Sequence, residues 1–324
     1  MRGYYLSFLA LVLFLGSVTT VAETGRNCPS AFERLTGIIE SNFFETRREF
    51  SHYVSTFPQS FSERLARLGP QDHWIDAGSG EAFALEDFFK QQVVDAANLK
   101  RGTRPGFFRQ TREQVSAEQA EFIARAFNLK DGSQKPRVTG ISFVMEREPP
   151  KHEKLQIKTD RFFEDIPLEE LGSAELISDL YGVMSYSPRL DEVLRRYHQI
   201  LKPGGLAYVH IGDYIERPLV PSVIRSMAFE NPGWDAPFAN SQVRKANGQT
   251  VSLLEWVQNL PGFKVSLEYR DLVEKSFRGE ISGVIKRYTL VLEKTQESAQ
   301  IPSLRLTESD SGKPPTRTFL ELSP

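Results

Sequence analysis

Aromatic residues at helical spacing set the first pattern in the chain. NFFETRREFSHYVSTF and SFSERLARL align Phe43, Phe44, Phe50, Tyr53 and Phe57 along helical faces, which predicts two helices turned toward a core. Gly69-Pro70 ends that run. His73 to Ala77 form a short apolar stretch that reads as a strand, and Leu85, Phe88, Phe89 and Val93 then fall on one face of a helix. RVTGISFVM (137–145), KLQIKT (154–159) and ELISDLYG (175–182) read as the second, third and fourth strands. Ser187-Pro188 opens a helix: proline suits its first turn, and Asp191 and Glu192 suit its positive end. Leu190, Val193, Leu194, Tyr197 and Leu201 form its buried stripe, and Pro203-Gly204-Gly205 stops it.

LAYVHIG (206–212) is a fifth strand, TVSLLEWVQNL (250–260) a further amphipathic helix, and FKVSLEYR and RYTLVLEK two closing strands. Strands alternating with helices predict an α/β protein built on a parallel sheet with both faces covered. KRGTRPGFFRQTR (100–112) interrupts the alternation with five basic residues and no acid. It reads as an inserted loop, about 100–115, either a solvated surface or a lid in which Phe107 and Phe108 shield a site. Ser116 and Gln119 then fit a capping box, followed by an apolar face of Ala120, Ile123, Ala124 and Phe127.

Composition changes the picture at the two ends. Arg2, the apolar run LSFLALVLFLGSV and the small residues Thr20-Val21-Ala22 are laid out as a secretory signal peptide over 1–22. The expectation is export; left uncleaved, the same segment would anchor the chain in a membrane, and unused it would leave the chain cytoplasmic. From 296 to 324 the chain is Ser, Pro and charge, which predicts a disordered tail. Between them lie an N-terminal helical segment (23–70) and one domain (71–295). A formal net charge of -2 gives no sign of a nucleic-acid partner, and the single cysteine, Cys28, excludes an intramolecular disulfide. The five histidines are scattered, none at ligand spacing, so no metal site is expected.

The candidate chemistry sits in HWIDAGSGEAFAL (73–85), an apolar run, an aspartate and two glycines before a helix. A strand-to-helix turn that bare can approach a ligand closely. A P-loop string is absent, and the third position of a dinucleotide fingerprint would be Phe83. Asp76 would also oppose a pyrophosphate at the helix start. S-adenosylmethionine carries an ammonium and a sulfonium and no phosphate, so a carboxylate there attracts it.

WIDAGSGEA resembles the first motif of class I S-adenosylmethionine-dependent methyltransferases, with Asp76, Gly78 and Gly80 in place and Ala82 where a last glycine is usual. AELISDLYGVMSYSPRLDEVLRRYHQILKPGGLAYVHIGD is similar to that family's fourth strand, helix and Leu-Lys-Pro-Gly-Gly turn (Leu201 to Gly205). The resemblance covers roughly residues 60 to 295 and implies a three-layer Rossmann-like parallel sheet with an antiparallel closing strand, plus the N-terminal helices. It implies S-adenosyl-L-methionine as cofactor, held by Asp76, Gly78, Ser79 and Gly80. The ribose contact falls on Glu146, and the adenine contact on Asp160, Glu164 or Asp165. Catalytic candidates lie beyond the fourth and fifth strands: Asp179, Tyr181 and His210, with Tyr186 and Asp213 nearby. Asp179 reads equally as a turn-bonding residue and His210 as a core histidine.

Two functions compete. One is a methyltransferase acting on an unidentified small molecule or protein. The other is an exported, non-catalytic binding protein on the same fold, favoured by the apparent export of a chain whose donor is made in the cytosol.

Overall fold

The computed structural model describes residues 48–90, 134–142, 145, 147–180, 182–187, 189–216, 241–275, 281–307 and 318–322. The expected signal peptide, the basic insert and the helix expected after Ser116 lie outside these residues. Among the described residues no helix is long and apolar enough to cross a membrane.

Two short helices, α1 (Phe50–Thr56) and α2 (Gln59–Arg67), come first, as the aromatic spacing predicts. The sheet then builds through β1 (His73–Asp76), α3 (Phe83–Lys90), β2 (Arg137–Ser142) and β3 (Leu155–Thr159). A single turn, α4 (Leu168–Leu171), leads into β4 (Ala174–Asp179), α5 (Val183–Tyr186), α6 (Leu190–Ile200) and β5 (Leu201–Glu216). Two short strands, β6 (Gln242–Arg244) and β7 (Thr250–Ser252), precede α7 (Leu253–Gln258) and the closing strands β8 (Phe263–Lys275) and β9 (Ile281–Lys294).

Seven strands pair in the order β3-β2-β1-β4-β5-β9-β8. The first five are mutually parallel, and β9 runs antiparallel to both its neighbours. Alternation along the strands divides the core in two. Trp74, Leu176, Tyr208 and Val291 face α1, α2 and α3 through Phe50, Tyr53, Phe57, Phe61 and Phe88. Ile75, Ile177, Val209 and Leu290 face the other way, onto Leu190, Val193, Leu194 and Tyr197 of α6 and Trp256 of α7. Each ring fully buried in these layers contributes on the order of 1.5–3 kcal/mol.

Element ends differ from the sequence reading where pairing, not local pattern, sets them. β5 and β9 stay paired from Leu206↔Glu293 to Glu216↔Val284, past the end expected at Gly212. α6 begins after Arg189, because Ser187 turns its hydroxyl to Arg189 N (3.0 Å) instead of starting the helix. Leu201 leaves the stripe to open β5, and Ile200 takes the last buried position. The tail expected to be disordered is partly ordered. β10 (Leu304–Leu306) and β11 (Thr318–Glu321) join β6 and β7 in a second sheet, ordered β10-β11-β6-β7. Phe319, fully buried, and Trp256 Nε1 donating to Glu321 Oε2 at 2.7 Å tie that sheet to α7.

Candidate active site

In an open parallel sheet the ligand crevice lies beyond the carboxyl ends of the strands, where the strand order reverses. Here β1 runs on to β2 and β3 on one side and meets β4 on the other, so the reversal falls between β1 and β4. This is the Rossmann-like fold that the sequence resemblance implied.

Each of those two strands ends in an aspartate, and the pleat sends the two to opposite faces. Asp76 turns to the α1 face. Its Oδ2 accepts from Tyr53 Oη at 2.7 Å and its Oδ1 from Ser178 Oγ at 2.8 Å, and Ser178 Oγ accepts in turn from Trp74 Nε1 at 2.8 Å. Burial pushes the Asp76 carboxyl up to about 6, held back by the Tyr53 and Ser178 hydroxyls and by the Arg48 guanidinium. Asp179 turns to the α6 face. Its Oδ1 accepts from Gly182 N (2.9 Å), and its Oδ2 from Met184 N (2.9 Å) and Tyr197 Oη (2.6 Å). Burial raises its pKa too, against those three hydrogen bonds. Both tyrosines are raised well above their ordinary value, first by burial and then by the carboxylates beside them, so they remain protonated donors.

The turn after β1 is fixed by three backbone bonds: Ala77 N to Ser178 O (2.7 Å), Ser79 N to Ile141 O (2.9 Å) and Ala82 N to Ser79 O (2.8 Å). Gly78 needs its bareness for the chain itself. A Cβ on Gly182 would lie 2.8 Å from Gly78 Cα, so the turns after β1 and β4 touch backbone to backbone. Gly80 has φ 52° and Ala82 φ 57°, both left-handed. Ala82, a non-glycine residue held in that region, is therefore strained. Ala82→Gly should stabilise the fold by about 1 kcal/mol, read as a rise in the urea midpoint at unchanged m.

Two arginines close over the turn. Arg48, buried just before α1, donates through Nη2 to Gly78 O. Arg147, past the end of β2, donates through Nε to Glu81 O (2.9 Å), pairs through Nη1 with Glu86 Oε2 (2.6 Å) and lies 4.0 Å over the Phe83 ring.

The expected site residues therefore divide. Asp76, Gly78, Ser79, Gly80 and Asp179 come together at the β1–β4 reversal. Glu164 and Asp165, the expected adenine contacts, are engaged within the chain: buried Glu164 accepts from Ser187 Oγ, and Asp165 pairs with Arg189 Nη2 at 2.9 Å, both steadying the approach to α6. Asp160 is exposed at φ 60° and takes the Thr159 hydroxyl at 2.9 Å. Asp179 has the contacts of its turn-bonding reading: they hold the β4–α5 turn on both oxygens. His210 is buried in β5 opposite Thr289, on the α1 side of the sheet. Glu146 and Tyr181 lie outside the described residues, as do the side chains of Tyr186 and Asp213. Among the described residues no group of His, Cys, Asp and Glu is placed to hold a metal ion.

Sequence reasoning missed Arg48, Tyr53, Arg147, Ser178, Gly182 and Tyr197. Gly182 carried a signal, three residues after an aspartate at a strand end. Arg48 carried none within TRRE, where every charge reads as helix surface.

The acceptors at the reversal fit a cation, and the two arginines over the turn are already taken up by acceptors of the chain. Two buried carboxylates and the Gly78 carbonyl face the reversal, and a guanidinium already stands there. A carboxylate has about four lone-pair directions, of which Tyr53 and Ser178 use two on Asp76. Ser79 is buried, and its hydroxyl has no partner among the described residues.

No protein-family model matches the chain, and no curated protein resembles it in sequence. Among the solved structures similar to it in backbone are the following three. Precorrin-6y C5,15-methyltransferase from Geobacter metallireducens is 10% identical at a TM-score of 0.33, over 73% of this chain and 87% of that one. The YcgJ protein from Bacillus subtilis is 10% identical at 0.38, over 76% and 99%. Phosphoethanolamine N-methyltransferase 2 from Haemonchus contortus, in complex with S-adenosyl-L-methionine, is 9% identical at 0.35, over 74% and 52%; this chain spans about half of its length. The fold assignment rests on the strand order.

Proposed function

We propose that this chain is a methyltransferase that uses S-adenosyl-L-methionine as donor and acts on a small molecule or protein. One observation carries the reading: the glycine turn at the strand-order reversal is anionic and already accepts a cation at Gly78 O. A phosphate-bearing nucleotide would meet two buried carboxylates there, whereas an ammonium or sulfonium would be attracted.

When bound, the donor supplies an electrophilic methyl group on a sulfonium. Asp76 supplies the negative field, kept in place by Tyr53 and Ser178. The Gly78 carbonyl would accept from the donor's ammonium, and Gly80 would leave the turn open to its nucleoside part. Asp179, with Tyr197, holds the β4–α5 turn, so its part is positioning and not proton abstraction. Catalysis then rests on holding the acceptor against the methyl group, for which proximity alone can supply several kcal/mol.

The second reading, an exported binding protein without turnover, is favoured by Arg48, which stands where a donor would have to enter. Export, expected from residues 1–22, favours it as well. Equilibrium dialysis of the full chain against labelled S-adenosylmethionine and against NAD separates the possibilities. Retention of the first alone, in the micromolar range, supports the methyltransferase. Retention of NAD alone contradicts the electrostatic reading, and retention of neither supports the binding protein.

A further inference from the structure

The cation at the site belongs to the chain. Arg48 is 6% exposed and donates to the Gly78 carbonyl, the acceptor an incoming ammonium would use. Its charge also pulls down the Asp76 and Asp179 carboxyls from either side of the reversal. An ammonium seated on the same carbonyl would need the space that the buried guanidinium fills, so one has to leave before the other can be held there.

The helix behind Arg48 is fastened independently of it. Tyr53 holds the middle of α1 to Asp76, and two neighbouring arginines of the closing strands hold its end. Arg270 Nη1 donates to Phe57 O at 3.1 Å, and Arg287 Nη1 to Thr56 Oγ1 at 2.6 Å. These two residues are paired across β8 and β9. Positive charge suits a helix C-terminus, which accounts for two like charges side by side. α1 can therefore stay docked while the Arg48 side chain alone swings out, through rotations about its own bonds.

We infer that Arg48 is a built-in competitor for the donor: its guanidinium occupies the ammonium position, and the donor binds only when it leaves. The inference rests on the methyltransferase reading above and adds its regulation. It makes the occupied and plugged forms mutually exclusive, so the apparent dissociation constant is the intrinsic one divided by the unplugged fraction. A plug seated in about nine molecules in ten weakens the donor about tenfold.

The test is calorimetric titration of the full chain with S-adenosylhomocysteine, which carries the ammonium and is unreactive. Wild type is compared with Arg48→Ala, and with Arg48→Lys, which keeps a charge on a slimmer head and preserves folding if the alanine variant does not. Thermal unfolding of each with and without ligand is the second readout. The expected result is binding at least tenfold tighter in Arg48→Ala and intermediate in Arg48→Lys, with a larger ligand-induced rise in Tm for both than for wild type. Equal affinities in wild type and variants overturn the plug alone. Weaker binding in the variants also overturns it and makes Arg48 a ligand contact instead. Silence from all three proteins overturns the methyltransferase reading, and the plug with it.

Discussion

Asp76→Asn is expected to weaken S-adenosylhomocysteine by about ten- to a hundredfold, about 1.4–2.8 kcal/mol, while making the free protein more stable at neutral pH. The two effects have one cause. Burial raises the Asp76 carboxyl from 3.8 to about 6, so between those values the folded state holds a proton that the unfolded chain has released. Stability contributed by this group is therefore highest below about pH 4 and falls as pH rises through about 6. A shift of that size corresponds to about 3 kcal/mol by pH 7. Asparagine has the same shape and no charge. The Tyr53 and Ser178 hydroxyls can reorient toward it, so part of the penalty, about 1–3 kcal/mol, is recovered. Urea unfolding of both proteins from pH 4 to pH 8 measures this directly: the difference should be near zero at the acidic end and grow in favour of the variant across pH 4–6. A variant that is less stable throughout would mean that Asp76 is held as a favourable ion, not as a strained one. The pattern expected is stability surrendered at a site kept charged for binding.

Gly78→Ala carries the second large effect, and it acts on folding before any ligand is present. The added Cβ would fall well under 3.0 Å from Gly182 Cα, a backbone atom in a turn that Asp179 fixes through Gly182 N. Neither side can yield as the tip of a long side chain would. Overpacking of this kind costs about 3 kcal/mol or more, which for a domain of this size lowers Tm by about 10 °C. Scanning calorimetry of the ligand-free variant reads it. A fully stable Gly78→Ala that merely fails to bind would show that the glycine serves the ligand alone, as the bare motif suggests in isolation.

That contrast marks where the sequence could and could not be read. β1, β4 and β5 were legible because each is an apolar run bounded by breakers, and α6 because Leu190, Val193, Leu194 and Tyr197 repeat at helical spacing. Asp76, Gly78 and Gly80 were legible because a strand-to-helix turn has few workable compositions. What Gly78 touches was not, since Gly182 lies far along the chain and only the pairing of β1 with β4 brings the two together. The same holds for β10 and β11. LRL and TFLE are too short to announce themselves, and they become strands by pairing with each other and with QVR in β6. Glu164 and Asp165 were legible as candidate carboxylates in an acidic loop, but their shared partner was not. Arg189, which neutralises them, follows a proline and reads as the start of a helix. Arg48 and Tyr53 were hidden for a different reason: in an amphipathic helix a charge reads as surface and a tyrosine as core, and here one ends on the Gly78 carbonyl and the other on the Asp76 carboxylate beside it.

The central claim is that the reversal between β1 and β4 takes a nucleoside that carries an ammonium group and no phosphate. A crystal structure of the full chain grown with saturating S-adenosylhomocysteine tests it most directly. The account predicts the ligand beyond the ends of β1 and β4, with its ammonium on Gly78 O near Asp76 and the Arg48 side chain turned away. Arg48 still seated on Gly78 O at saturation, with the ligand absent or bound elsewhere, would contradict it.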